Sequence, residues 1–202
     1  KIFLNDGYGK IRIVTEKDFS NFRKVVLVDT TAVKNLFGGG ERPADISNVE
    51  NMAYMFDSCG NLASLDLRSF DTSKVTDMGD MFSMASALTD LNIRSFDTSN
   101  VADMSFMFSY SGLTSLDLTH FDTSAVTTIS YMFSGCKALH TVDTTGWDTS
   151  GVIHMDGVFS DCKKLDTVAG ILDWDTSKVE YHNRFMDEGT RIEGKPWENL
   201  FK

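Results

Sequence analysis

The sequence predicts an α/β solenoid: coils of 25–26 residues, each giving one strand to a parallel sheet on one side and a short helical turn to the other. Three observations predict it. First, Phe70-Asp71-Thr72-Ser73, Phe96-Asp97-Thr98-Ser99, Phe121-Asp122-Thr123-Ser124, Trp147-Asp148-Thr149-Ser150 and Trp174-Asp175-Thr176-Ser177 start 26, 25, 26 and 27 residues apart. Second, an apolar frame precedes these corners, as in Leu62/Leu65/Leu67, Leu88/Leu91/Ile93, Leu113/Leu116/Leu118 and Leu139/Val142. Third, a Val-x-x-Met-x-x-Met-Phe pattern comes after them, as in Val75, Met78, Met81 and Phe82. A fixed period of this size marks repeats that bury an apolar face only by stacking on one another.

Residues 1–44 are not a repeat and read as an N-terminal cap. Ile2-Phe3-Leu4 and Ile11-Arg12-Ile13 flank the turn-forming Asn5-Asp6-Gly7-Tyr8-Gly9, which predicts a hairpin. Thr15 followed by Asp18, with Phe19 and Phe22 at i, i+3, predicts a helix over 16–24. Val25-Val26-Leu27-Val28 is a strand candidate, and Gly38-Gly39-Gly40 breaks any regular element beyond it. The repeats occupy 45–178. A degenerate last copy and a C-terminal cap, with Gly189-Thr190-Arg191-Ile192 and Pro196-Trp197, fill 179–202.

Within a repeat, the period-two alternation of Leu65-Asp66-Leu67-Arg68 predicts a short strand with both leucines inward. Val75, Met78, Met81 and Phe82 fall at i, i+3, i+6 and i+7, which predicts a short helix or 3₁₀ turn packed on that strand. The methionines at 52, 55, 78, 81, 104, 107, 132 and 155 are read as core filling rather than a metal or peptide surface.

The Asp-Thr-Ser corner is read as structural. Its Asp accepts backbone N–H groups two or three residues on, and the neighbouring hydroxyl caps the helical turn after it. Calcium binding by Asp71, Asp97, Asp122, Asp148 and Asp175 ranks below this, as does an ice-binding threonine ladder over Thr72, Thr98, Thr123, Thr149 and Thr176. Cys59, Cys136 and Cys162 share a column with Ala85 and Ser111, which describes a tight buried slot for a small side chain. No zinc, redox or disulfide role is assigned to them.

The formal charge is −10, divided as +3 over residues 1–44, −12 over 45–178 and −1 over 179–202. A repeat array this acidic repels nucleic acid and anionic lipid. The longest aliphatic run, 25–28, is far too short to span a membrane. The chain starts at Lys1 and reads as a mature or trimmed fragment, so missing targeting signals exclude nothing. No phosphate loop, metalloprotease motif or nucleophile elbow occurs, and His120, His140, His154 and His182 occupy four different repeat positions. The expectation is a non-enzyme with no metal and no cofactor.

Leu-x-x-Leu-x-Leu followed by Phe-Asp-Thr-Ser-x-Val-x-x-Met-x-x-Met-Phe-x-x-Cys resembles the BspA-type leucine-rich-repeat surface proteins of bacteria, known from mycoplasma lipoproteins and from wall-attached proteins of lactic-acid bacteria and Listeria. The resemblance covers roughly residues 45–186, and the closing Gly-Thr-Arg-Ile and Pro-Trp also look like that family's ending. It implies a right-handed leucine-rich-repeat solenoid displayed outside the cell, at its surface, and linked with adhesion. Two departures stand out: Cys is replaced in two coils, and no lipobox or sortase motif is present in this chain.

The repeat register locates the contact face. Outward strand residues form the columns Ser64, Asp90, Ser115, Thr141; then Asp66, Asn92, Asp117, Asp143; then Arg68, Arg94, Thr119, Thr145. Small polar groups in register suit hydrogen bonding to a protein or glycan ligand, although any exposed sheet face is polar. The alternative to a binding module is a passive spacer that displays another domain. A second candidate is the shared helical position of Tyr54, Phe106 and Tyr131, also filled by Asp80 and Gly157. These rings either mark an interface or lie flat on neighbouring coils, the second reading being preferred.

Overall fold

The computed structural model of the chain describes residues 2–5, 11–14, 49–68, 70–187, 191–192, 195–196 and 200–201. These residues form short strands in small sheets, with almost no helix. Strands β1 (Ile2–Asn5) and β2 (Ile11–Val14) pair antiparallel as the predicted hairpin. Strands β3 (Ser64–Asp66) and β4 (Asp90–Asn92) pair parallel, as do β5 (Ser115–Asp117), β6 (Thr141–Asp143) and β7 (Thr167–Ala169). A last antiparallel pair joins β8 (Arg191–Ile192) to β9 (Lys195–Pro196). The predicted helix over 16–24, the strand candidate at 25–28 and the glycine break at 38–40 lie outside the described residues.

Copies of the repeat lie against one another in parallel register. Asn51, Asp77, Asp103, Thr128, His154 and Tyr181 form successive parallel bridges, each 25–27 residues from the next. Five phenylalanines run through the interior: Phe56, Phe82, Phe108, Phe133 and Phe159 stack at centroid separations of 5.6, 5.6, 5.7 and 5.2 Å, within 8° of parallel. The eight methionines assigned to the core are buried beside them, as are Leu62, Leu67, Leu88, Leu118 and Leu139. Trp147 stacks on Trp174 at 5.8 Å, carrying the order into the last copies, where Phe185 is fully buried.

The helical turns expected after each Asp-Thr-Ser corner are not there. Residues 52–59, 78–85, 104–111, 129–136 and 155–162 instead form chained tight turns whose backbone donors alternate in direction. The N–H groups of Met52, Tyr54, Phe56 and Ser58 donate to Asp77, Gly79, Met81 and Ser83 of the next copy, at 2.7–2.9 Å. Those of Met55, Asp57 and Cys59 donate three residues back, to Met52, Tyr54 and Phe56. A helix sends every N–H along its own axis, whereas here every second one ties neighbouring copies. The geometry requires positive φ near the third residue of alternate turns, as at Tyr54 (62°), Ser58 (59°), Asp80 (56°), Met84 (56°), Phe106 (56°) and Tyr110 (54°). Such backbone angles are unusual for residues other than glycine. The described array is therefore strand and turn rather than α/β.

One copy is a residue short. In four copies the strand starts five positions after the small buried side chain: Cys59 to Ser64, Ala85 to Asp90, Cys136 to Thr141 and Cys162 to Thr167. Ser111 reaches Ser115 in four. The shortened corner cuts inward, and Gly112 donates its N–H to Ala85 at 3.2 Å. A Cβ at Gly112 would lie 2.4 Å from the Ser86 carbonyl oxygen, so only glycine fits. The consequence is a seam: β4 and β5 do not pair, and Leu91 is only partly buried against the core where Leu65, Leu116 and Val142 are buried. The turn side stays bonded across the same boundary, for example through Thr127 N–H to Ala102 (2.9 Å) and Phe106 N–H to Ser130 (2.9 Å).

Candidate functional site

The outward columns of the strand face are in register where the strands pair. Ser64 lies opposite Asp90 and Asp66 opposite Asn92. Ser115 lies opposite Thr141 and Asp117 opposite Asp143, with Thr167 and Ala169 continuing both columns in β7. The side chains between them, Leu65, Leu116, Val142 and Val168, point into the core. Thr167 escapes a sequence reading because its copy carries Leu165-Asp166-Thr167-Val168 just before an insertion; the recurring Leu-x-x-Val spacing is the signal that marks it. The seam divides the face into a two-strand and a three-strand part, so the twelve predicted residues are not one continuous sheet surface.

The third column closes back on the second. The N–H groups of Arg68, Thr119 and Thr145 donate to Asp66, Asp117 and Asp143 at 3.1, 3.2 and 3.0 Å, and that of Arg94 to Asn92 at 3.4 Å. Asp or Asn two residues before such a donor makes an Asx turn, which ends the strand and turns the chain. Arg68 also sets its guanidinium on Asp66, with Nη2 2.7 Å from Oδ2, and this pair holds the Asp66 carboxyl below the usual carboxylate range. Thr119 donates its hydroxyl to Asp117 at 2.7 Å and lowers that carboxyl in the same way, with a smaller contribution from Arg94. Arg94 Nη2 reaches Asp117 Oδ2 at 3.4 Å across the seam, and His120 Nε2 lies 3.1 Å from the Ile93 carbonyl oxygen beside it. Both ion pairs are exposed, so each contributes little to stability.

The Asp-Thr-Ser corner is a second Asx turn. Ser124 donates its N–H (3.0 Å) and hydroxyl (2.6 Å) to Asp122 Oδ1, and these bonds push that carboxyl down. Asp148 and Asp175 are held down likewise by Ser150 and Ser177. The threonine does not cap a helix. Thr72, Thr98, Thr123 and Thr149 are buried, and their hydroxyls donate to the Asp carbonyls of the next copy at 2.8–3.0 Å. A buried threonine column offers no ladder to a solvent surface, which removes the ice-binding reading. Thr176 makes the matching bond to Leu200 at 2.6 Å, so the C-terminal segment takes the place of a further copy there.

A third turn of the same kind starts four of the five chained-turn segments. Asp77 accepts from Gly79 N–H at 2.9 Å and Asp103 from Ser105 N–H at 2.8 Å, while Asn51 and Thr128 do the same for Ala53 and Ser130. Thus most changes of direction in a repeat have a side-chain acceptor for a backbone N–H that tight packing would otherwise leave unpaired. In the cysteine column, Cys136 and Cys162 donate their thiols to the Phe108 and Phe133 carbonyls at 3.0 and 2.9 Å. Burial pushes both thiols up, and Cys59 is buried in the same column.

Among the described residues no group of three or more His, Cys, Asp or Glu side chains is arranged to hold a metal ion, and no helix is long and apolar enough to cross a membrane. The arrangement offers polar and acidic groups at fixed spacing and a backbone bonded from copy to copy, which suits recognition by shape and hydrogen bonding.

No curated protein and no solved structure matches the chain. The family described as "Mycoplasma protein of unknown function, DUF285" matches residues 28–141 and 109–198, and across that span this chain belongs to it.

Proposed function

We propose that the chain is a right-handed leucine-rich-repeat solenoid of the BspA type, displayed at a bacterial cell surface as a binding or adhesion module for a protein or glycan. The observation that carries this reading is the register of the strand face. Ser64 with Asp90, Asp66 with Asn92, Ser115 with Thr141 and Asp117 with Asp143 repeat donors and acceptors at strand spacing over a buried apolar layer. Parallel bonding between copies and small buried side chains in one column support the solenoid, and the acidic array favours neutral or cationic ligands over nucleic acid.

One observation favours the passive spacer instead. Asp66, Asp117 and Asp143 each accept the N–H two residues on, so part of the acceptor capacity of the face is committed to the fold. A screen of the purified chain against arrayed glycans and immobilised matrix proteins separates the two. The binding reading expects at least one saturable hit that is lost on combining Arg68→Ser, Asp90→Ser and Arg94→Ser, with the thermal midpoint unchanged. These substitutions leave the turn-closing N–H groups in place. No hit, or a hit indifferent to the triple variant, favours the spacer or another face.

A further inference from the structure

The left-handed turn positions build a second surface, away from the strand face. Tyr54, Asp80, Phe106, Tyr131 and Gly157 follow one another in equivalent positions of successive copies, and Met84, Tyr110 and Gly135 lie four residues further along theirs. The rings lie flat. Phe106 stacks on Tyr131 at 4.8 Å and 13°, and a Cβ at Gly157 or Gly135 would fall 2.3 Å from the Tyr131 ring or 2.5 Å from the Tyr110 ring. The rings are still partly open to solvent: Tyr54, Phe106 and Tyr110 are 40%, 37% and 46% exposed. The two alternatives for this column therefore coexist, since the rings pack on neighbouring copies and still present an aromatic surface.

Carboxylates stand among these rings. Asp80 occupies the step between Tyr54 and Phe106, in hydrogen-bonding contact with the Tyr54 hydroxyl and with Ser83. Asp57, Asp77 and Asp103 lie near enough for their charges to act on this pair, and burial together with Asp57 and Asp103 pushes the Asp80 carboxyl up. The chain is sparing with cations over the span that holds Asp80 and Asp103. Between Lys74 and Lys137 its only lysine or arginine is Arg94, which faces Asp117 on the strand side. A ring face attracts a cation through its quadrupole, and a planar guanidinium stacks on the ring while its edges meet carboxylates. A neutral glycan would use the rings but gain nothing from the acids.

We propose that this turn-side surface docks a basic, arginine-bearing peptide segment of a partner protein, with guanidinium groups on Tyr54, Phe106 and Tyr110 and their charge matched by Asp80 and Asp103. The test uses the whole chain and a fluorescent peptide of alternating arginine and serine, read by anisotropy at about 0.15 M salt, where distant charges are screened. Phe106→Asn and Asp80→Asn remove the ring and the charge with a residue that tolerates left-handed backbone. Each is expected to weaken binding about two- to fivefold, the size of an exposed cation–π contact. The paired Asp148→Asn and Asp175→Asn, on the Asp-Thr-Ser corner, should leave binding unchanged, and a peptide with lysine in place of arginine should bind more weakly.

Four outcomes overturn the proposal. They are absence of saturable binding, equal loss in the corner pair (a general attraction to an acidic protein), equal binding of a neutral glycine-serine peptide, and a ring variant that changes only the sedimentation of the free chain, which would make a second copy the occupant. Asp80→Asn keeps the test sharp if Phe106→Asn fails to fold. None of these results depends on the strand face.

Discussion

Lengthening the short corner by one residue should close the seam. Placing an asparagine between Gly112 and Leu113 recreates the spacing of Cys59-Gly60-Asn61-Leu62 in the first copy, and the strand would then start five positions after Ser111. The inserted residue lets β5 move outward to the position that β4, β6 and β7 hold in their own copies. Pairing β4 with β5 then adds about three ladder bonds at about 0.5–1.5 kcal/mol each, and covering Leu91 adds about 0.5–1 kcal/mol. Ordering one more residue costs about 1–2 kcal/mol. The net expectation is a gain centred on about 2 kcal/mol, or about 4–8 °C in the midpoint for a chain of this size.

Urea unfolding gives the first number, and amide exchange gives the diagnostic one. Protection should rise at residues 91–93 and 116–118 and stay level on the turn side, where copies are already bonded through Thr127 and Phe106. A loss of stability, or unchanged exchange at those amides, would show that the missing residue does not cause the gap.

The other expectations concern the interior, the turns and the corners. Phe133 is fully buried between Phe108 and Phe159, so Phe133→Ala should cost about 3–5 kcal/mol in chemical denaturation. Gly157→Ala should cost about 1–3 kcal/mol through its positive φ and the Tyr131 ring above it. Part of that cost should vanish in a Tyr131→Ala background, and an undiminished cost would mean that only the backbone matters. Asp66, Asp117, Asp122, Asp148 and Asp175 have carboxyls held below the unfolded value of about 3.9. The unfolded chain therefore takes up protons first on acidification, so their stabilisation is complete above about pH 4 and is lost as pH falls through the folded-state values. Asp80 opposes this weakly, because its raised carboxyl is relieved by protonation. Thermal midpoints measured from about pH 5 to about pH 3 should fall, and a flat profile would contradict the Asx-turn assignment.

The period, the inward residues and the location of one corner can be read directly from the chain, because stacking forces the same side chain into the same slot in each copy. Leu65, Met78, Phe82 and Cys136 are buried as their columns require. The expectation of helical turns fails for a definite reason. A chain of tight turns bonds three residues back, so it places Met78 and Met81 on the inside with the i, i+3 spacing of a helix. Side-chain pattern alone does not tell the two apart. What differs is the destination of every second N–H, and that depends on a neighbouring copy being there to accept it.

The composition of the left-handed column holds the missing signal. Tyr, Asp, Phe, Tyr and Gly share no apolar or polar character, yet Asp80 and Gly157 are residues that tolerate positive φ, and Gly135 occupies the second such position. A column set by backbone conformation looks random when it is scored by hydrophobicity. The site is obscured for a related reason. Asp66 and Asp71 lie five residues apart and look alike in sequence, but the first closes a strand beside Arg68 and the second closes a corner beside a threonine that reaches the next copy. Each carboxylate serves the turn it sits in, so binding capacity must be sought where side chains exceed what their turns require. On that criterion the exposed parts of Tyr54, Phe106 and Tyr110 qualify beside the strand face, because these rings close no turn.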